Sequence, residues 1–368
     1  MNTQTLSIDF EKYRKDAEET EWELPPWGHP ICMGVFPLFL TIDMRLIPIG
    51  TAFVVGRFGS FVLSATHNIG EALKQEPGFE QLASRLFEGT IDLKRIYLSV
   101  LYQSTDDTGQ TQLMLWPIET FSSPCPTDVV IGSLQAAAGI VAPVLKLCFS
   151  LPSIGEKLWS VGYSEFKYPD GGIPLSAIQD KSFNWNTDYG HRLFVVEGRV
   201  ERIFTQRFAA GYLEGPCFAF DSEIRHGMSG GPLFSPNGIV RGVNSAGASS
   251  FFNEPKSLGS LLHQILSIQL KYGVQVGPLR INNNCDVMYL VSRGVLATDG
   301  SEEKLGYTLD DETGSLVVHP RIWSRDRAFI HDDFGSFQDG KEATTKNGPV
   351  YSMVQNKNAN NIKTWKKG

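Results

Sequence analysis

The chain has 368 residues, of which 42% are hydrophobic and 20% charged, and its formal net charge is -7. That balance describes a soluble globular protein of two or three structural units. The acidic surplus provides no broad basic field, which excludes bulk nucleic-acid binding. The first element in chain order is "IDFEKYRKDAEETEW" (8–22), which reads as a charged outer helix stopped by Pro25 and Pro26. From residue 31 the character changes. "GVFPLFLTI", "RLIPIGTAFVVG" and "SFVLSATH" are short Phe/Val/Ile/Leu runs broken by Gly and Pro, and they read as strands. "GEALKQEPGFEQLASRLFEG" (70–89) reads as one or two short helices on a loop. Strands resume with "TIDLKRIYLSVLYQ", "QTQLMLWPIETF" and "DVVIGSL" (128–134), and "QAAAGIVAP" (135–143) reads as a connector.

A second strand set follows, from "VLKLCF" through "RLFVVEGRVERIF" and "PCFAFDS" to "GPLFSP" and "GIVRGVNSAG". The 36 glycines and 20 prolines supply turns for so many short strands. The pattern predicts an all-β protein of barrels or sandwiches. "EPKSLGSLLHQILSIQLKYG" (254–273) carries apolar residues at helical spacing and reads as a closing amphipathic helix. The expected organisation is an N-terminal helical segment (1–30), a first barrel (31–135), a second barrel with its closing helix (136–273), and a polar C-terminal extension (274–368).

The five cysteines are odd in number, scattered and without a C-x-x-C pair, so neither a zinc site nor a redox motif is indicated. No cofactor or metal is implied. The N-terminal stretch has neither an apolar core nor a small-residue cleavage site, and no apolar run is long enough to span a bilayer. A cytoplasmic, reducing-compartment protein without membrane contact is the expectation.

The segment "RHGMSGGPLF" (225–234) sets one serine among three glycines. "GMSGG" also spells the G-x-S-x-G of a nucleophile elbow, but that motif needs a helix after the serine. Here "PLFSPNGIVRGV" follows, two apolar runs about a turn, which predicts a hairpin. A serine alcohol is a poor nucleophile at neutral pH. It needs a histidine to take its proton, a buried carboxylate to orient that histidine, and backbone N–H groups aimed at the developing oxyanion. "SATHN" offers His67 at the end of an apolar strand pair, and "SPCPTDVVIGSL" offers Asp128 at the head of a strand. Asp92, Asp106 and Asp107 are rivals to Asp128, the last two in a turn-like stretch.

These three segments resemble those of trypsin-like (chymotrypsin-fold) serine peptidases, most closely the HtrA/V8-like bacterial branch. The resemblance covers residues 31 to 270 and rests on "GTAFVV…FVLSATH", "TDVVIGSL" and "FDSEIRHGMSGGPLFSPNGIVRGVNSAG". It implies two antiparallel β-barrels and a serine endopeptidase with His67, Asp128 and Ser229 as triad, His67 lying within hydrogen-bond reach of both partners. It further implies an oxyanion hole from the N–H groups of Gly227 and Ser229, and substrate contacts from Glu223, Ile224, Asn244, Ser245 and Ala246. Small neutral residues there favour an apolar side chain before the scissile bond, whereas an inward Glu223 would favour Arg or Lys. In the animal digestive branch an aspartate before the nucleophile pairs with a newly released N-terminus. Here Met228 stands there, so that switch is absent and control would fall to loops or an activating protein partner. An unrestrained intracellular protease would be harmful, which motivates a regulated effector in stress or defence. The alternative is a catalytically idle binding module that retains the fold.

Overall fold

A computed structural model describes residues 9–25, 29–76, 79, 96–105, 111–123, 127–135, 143–210, 212–270, 274–276, 279–281, 285–309, 316–319, 330–331, 335–338 and 341–345. The rivals Asp92, Asp106 and Asp107, most of the connector 135–143 and residues 80–89 lie outside the described residues.

The N-terminal segment is not a helix. Among the described residues, only a 3-10 turn, Glu11–Tyr13, precedes strand β1 (Glu21–Leu24). The apolar residues of β1 alternate: Trp22 and Leu24 are buried and face partners Val195 and Leu193. A two-residue period is a strand signal, and the surrounding charges mask it in so short a stretch. Phe10 is fully buried with its ring 5.4 Å from that of Trp159 and 5.5 Å from that of Phe234.

The first barrel is built from β2 (Val35–Ile42), β3 (Arg45–Val55), β4 (Phe61–Ala65), β5 (Ile96–Thr105), β6 (Thr111–Ser122) and β7 (Val129–Leu134). β2 and β3 join through Asp43 and Met44, both at positive φ (46° and 61°), whose twist suits a two-residue hairpin. The order β3-β2-β5-β6-β7-β4 closes by antiparallel pairing of β3 with β4. Helix α1 (Thr66–Gln75) leaves directly from the end of β4, four residues earlier than the composition of 70–89 suggests.

The second sheet comes from β8 (Lys146–Leu147), β9 (Lys157–Lys167), β11 (Gly190–Phe204), β13 (Cys217–Phe220), β14 (Pro232–Phe234), β15 (Ile239–Gly247) and β16 (Ser257–Leu261). Two-residue strands β10 (Ile173–Pro174) and β12 (Ala209–Ala210) lie between them. β11-β13-β16-β15-β14-β9 also closes into a ring, because β11 pairs with β9 as well. The molecule is therefore all-β with two six-stranded antiparallel barrels. Ser229 lies between β13 and β14, and β14 with β15 is a hairpin, so no helix follows the serine.

The closing helix is also absent. Residues 257–261 form β16, which pairs with β13 on one side and β15 on the other. Every residue of β16 is buried, so its two-residue alternation is lost, and a fully buried run reads equally as helix or strand. A 3-10 turn (His263–Ser267) and a two-residue strand (Gln269–Leu270) follow.

The largest core cluster joins Val35 and Phe53 of the first barrel, Val161 and Tyr163 of the second, and Val287, Leu290, Leu296 and Leu305 of the C-terminal extension. Burying each such aliphatic or aromatic side chain contributes about 1.5–3 kcal/mol of transfer free energy. The extension is thus packed against both barrels through the described residues 285–305. Cys32, Cys148, Cys217 and Cys285 are all buried. No helix among the described residues is long and apolar enough to cross a membrane.

Candidate active site

Antiparallel pairing of β4 with β7 sets Ala65 opposite Val129. The residues just past one strand and just before the other, Thr66 and Asp128, must then meet, and His67 follows directly. The Thr66 N–H donates to the Asp128 carbonyl at 3.0 Å. Asp128 is buried, and its two carboxylate oxygens are divided: Oδ1 accepts from the His67 backbone N–H at 2.9 Å, and Oδ2 lies 2.8 Å from His67 Nδ1. The first contact fixes the carboxylate and the second fixes the ring. The His67 side chain stays 23% exposed, open to solvent on one side, while Asp128 is 5% exposed. Burial works against a charged imidazole, but the Asp128 charge, its hydrogen bond and the Glu71 charge outweigh it and raise the His67 pKa above its usual value.

Two residues outside the sequence-derived set bind the serine loop to the first barrel. Asn68, next to His67, donates from Nδ2 to the Ser229 carbonyl at 2.8 Å. Thr51 on β3 donates from its backbone N–H to the same carbonyl at 2.9 Å, and from its hydroxyl to the Gly227 carbonyl at 2.9 Å. The Thr51 hydroxyl also accepts from the Tyr163 N–H at 2.8 Å, so one buried side chain links β3, β9 and the serine loop. Thr51→Val keeps the shape and leaves the Gly227 carbonyl and the Tyr163 N–H without that partner. Each such buried group costs about 1–3 kcal/mol. A loss of about 2–5 kcal/mol in unfolding free energy, read by urea denaturation, is the expected result.

The loop itself depends on two glycines. Gly227 has φ +92°, and a Cβ there would lie 2.9 Å from both Tyr163 O and a Phe166 ring carbon. Gly230 has φ +87°, and a Cβ there would lie 2.0 Å from the Thr51 carbonyl. Both positions demand the left-handed region and a close approach at once. Met228, between Gly227 and Ser229, is fully buried in the core of the second barrel. Its N–H donates to the Arg225 carbonyl at 3.1 Å, and its carbonyl accepts from Gly231 N–H at 3.0 Å and Asn244 Nδ2 at 3.3 Å. The loop is held by packing and these bonds. Among the described residues, neither the Gly227 nor the Ser229 N–H donates to another protein group.

The Ser229 hydroxyl does not donate to His67. It donates to the Ser245 carbonyl at 2.8 Å. This departs from the expected arrangement, in which His67 bonds both partners. A hydroxyl turns about a single bond, and the strand carbonyl of Ser245 is the acceptor it meets here.

Asn244 leaves the substrate-facing set, because all of its polar groups are spent internally. Its Oδ1 accepts from Ser160 at 2.9 Å, and Nδ2 reaches the Val161 and Met228 carbonyls. Its N–H donates to the Gly231 carbonyl and its carbonyl accepts from Gly230. Ile224 is packed in the second-barrel core, and the Ser245 hydroxyl pairs with that of Ser260 at 2.7 Å. Ala246 is half-buried and Glu223 is exposed. Along this wall the cleft therefore meets backbone more than side chain. Among the described residues no cluster of His, Cys, Asp and Glu is arranged to hold a metal ion.

No family model matches the chain, and no curated protein matches it. Solved structures similar to it include the active form of the Rv3671c protease from M. tuberculosis, at 15% identity and TM-score 0.37, covering 63% of this chain and 78% of that one. The inactive form of the same protease is similar at 14% identity and TM-score 0.36, over 71% of this chain and 95% of that one. The structure of Deg5 is similar at 16% identity and TM-score 0.35, over 58% of this chain and 80% of that one.

Proposed function

We propose that the protein is a serine endopeptidase of the chymotrypsin type acting on protein or peptide substrates. The observation that carries this reading is the double hold of buried Asp128 on His67, through the ring and the backbone, beside a serine whose carbonyl is gripped by the next residue, Asn68.

The chemistry follows from these groups. The Ser229 hydroxyl turns from the Ser245 carbonyl to His67 Nε2. Its oxygen bonds to the scissile carbonyl carbon while the proton passes to His67. The oxyanion is held by the N–H groups of Gly227 and Ser229. The carbon–nitrogen bond then breaks, and His67 returns its proton to the leaving amine. Water attacks the resulting ester with His67 again as base, the acid departs, and Ser229 recovers its proton. Throughout, Asp128 keeps the Nδ1 proton in place and stabilises the imidazolium.

Substrate would enter as a strand. β14 pairs with β15 only as far as Val243, while β16 lines the other side of β15 through Gly247. Residues 245–247 therefore run past β14 with one edge unpaired among the described strands, a site for adding a peptide strand.

The second reading is a protease-fold binding module, favoured by the Ser229 hydroxyl resting on a carbonyl instead of the base. An alkyl fluorophosphonate probe separates the two. Labelling of the wild type, lost in Ser229→Ala, supports the peptidase. A correctly folded wild type that never labels supports the binding module.

A further inference from the structure

The edge of β15 at Ser245–Gly247 already has its acceptors occupied. Ser245 gives its carbonyl to Ser229, and two residues on, Gly247 gives its carbonyl to the hydroxyl of Tyr212. Tyr212 is an odd residue to find there. The residue is 37% exposed, yet its ring is propped 4.7 Å from that of Phe251 and 6.1 Å from that of Phe208. The space beside Gly247 is otherwise open: a Cβ placed on it would meet nothing within 4 Å. Burial raises the Tyr212 pKa and the Glu71 charge adds to it, and the same Glu71 on α1 acts on His67.

The segment that carries Tyr212 is tied to the C-terminal extension. Ala209 accepts the N–H groups of both Tyr212 (3.1 Å) and Leu213 (3.2 Å), closing a tight turn on β12. β12 in turn pairs in parallel with Gly335 and Ser336. Those residues belong to the strand Gly335–Gln338, which is the middle strand of a three-stranded sheet completed by Lys341–Thr345. Ile330 and His331 pair with Ile203 and Phe204 at the end of β11, just upstream. The extension thus holds the base of the turn on which Tyr212 stands.

We propose that Tyr212 gates the substrate edge of β15, and that the paired C-terminal strands Gly335–Gln338 and Lys341–Thr345 hold this gate closed. A substrate strand needs the Gly247 carbonyl as acceptor for its own N–H, so it must displace the Tyr212 hydroxyl before it can pair. Small electrophiles that need only Ser229 bypass the gate. Whatever loosens those strands loosens the turn. The proposal rests on the serine-peptidase reading.

The test compares two probes on the full chain. A small alkyl fluorophosphonate reports Ser229 alone. Tripeptidyl aryl phosphonates ending in the valine or the lysine analogue report Ser229 reached through the strand edge. Tyr212→Phe keeps the ring and removes one hydrogen bond to Gly247, so peptidyl labelling should quicken about five- to tenfold while small-probe labelling is unchanged. Ser336→Pro removes a pairing N–H from the middle strand and should shift the same ratio in the same direction. A peptidyl rate that is unchanged, lower or nil in Tyr212→Phe, with small-probe labelling intact, overturns the gate and leaves the peptidase reading standing. If the small probe labels no form, both fall.

Discussion

His67→Ala is expected to lower kcat on a peptide substrate by about a millionfold, as removal of a general base from such a unit does. The residual rate, about 10³- to 10⁴-fold above water, would come from the oxyanion donors and substrate binding. The fold should survive. His67 lies in the first turn of α1, partly open to solvent, and alanine is the best helix former. The Asp128 Oδ1 would keep its backbone N–H partner at residue 67, since that bond does not involve the side chain. The loss should therefore show in the rate and hardly at all in the thermal transition. A variant that unfolds would not report on chemistry, so both are measured on one preparation. An unchanged rate on a folded variant would remove His67 from the mechanism.

The candidate site was legible in the sequence to the extent that its residues sit at strand ends. "SATHN" ends an apolar run and "TDVV" begins one, and pairing of those two runs brings His67 and Asp128 together. The hairpin after Ser229 was legible for the same reason, since turn residues between apolar runs act locally. Thr51 and Asn68 were not. Their roles lie in bonds from the first barrel to a loop of the second, some 160 to 180 residues away. Nothing local marks a threonine as the residue that will hold a distant glycine carbonyl. Asn244 was misassigned because being near Ser229 along the expected strand says nothing about which way an amide points. It points inward and supports the Met228 carbonyl.

The two helices that the sequence suggested failed for opposite reasons. Residues 8–22 carry charge enough to look like a solvated helix, but Phe10, Trp22 and Leu24 bury individually against the second barrel. Residues 257–261 bury completely between two strands, so their pattern carries no period. In both cases a tertiary partner decided the local structure, and that partner was far away in sequence. The same holds for the extension, whose strands at 330–331 and 335–336 depend on β11 and β12 for their pairing.

Asp128→Asn should lower kcat by about 10⁴-fold and move its pH dependence as well. The reason lies in how the carboxylate is divided. The His67 backbone N–H faces Oδ1 and the ring Nδ1 faces Oδ2. In asparagine the carbonyl oxygen would take the backbone N–H, which turns the amide NH₂ toward Nδ1. Nδ1 then becomes an acceptor and the ring proton moves to Nε2, the nitrogen that must receive the proton of Ser229. The base is present but in the wrong tautomer. In the wild type the Asp128 charge and hydrogen bond, with Glu71, raise the His67 pKa against the opposing effect of burial. The proposed mechanism requires neutral His67, so the acid limb of kcat/KM is expected above the ordinary imidazole value of about 6.5. With the carboxylate gone, burial prevails and the limb moves to lower pH. Stability follows the same sign. A histidine whose folded pKa is raised contributes stability fully present below its unfolded pKa and lost as pH rises through the folded one. The unfolding free energy of the wild type relative to Asp128→Asn should thus be greatest at pH 5 and shrink by pH 8. An acid limb that stays in place while the rate falls would mean that Asp128 does not set the His67 charge.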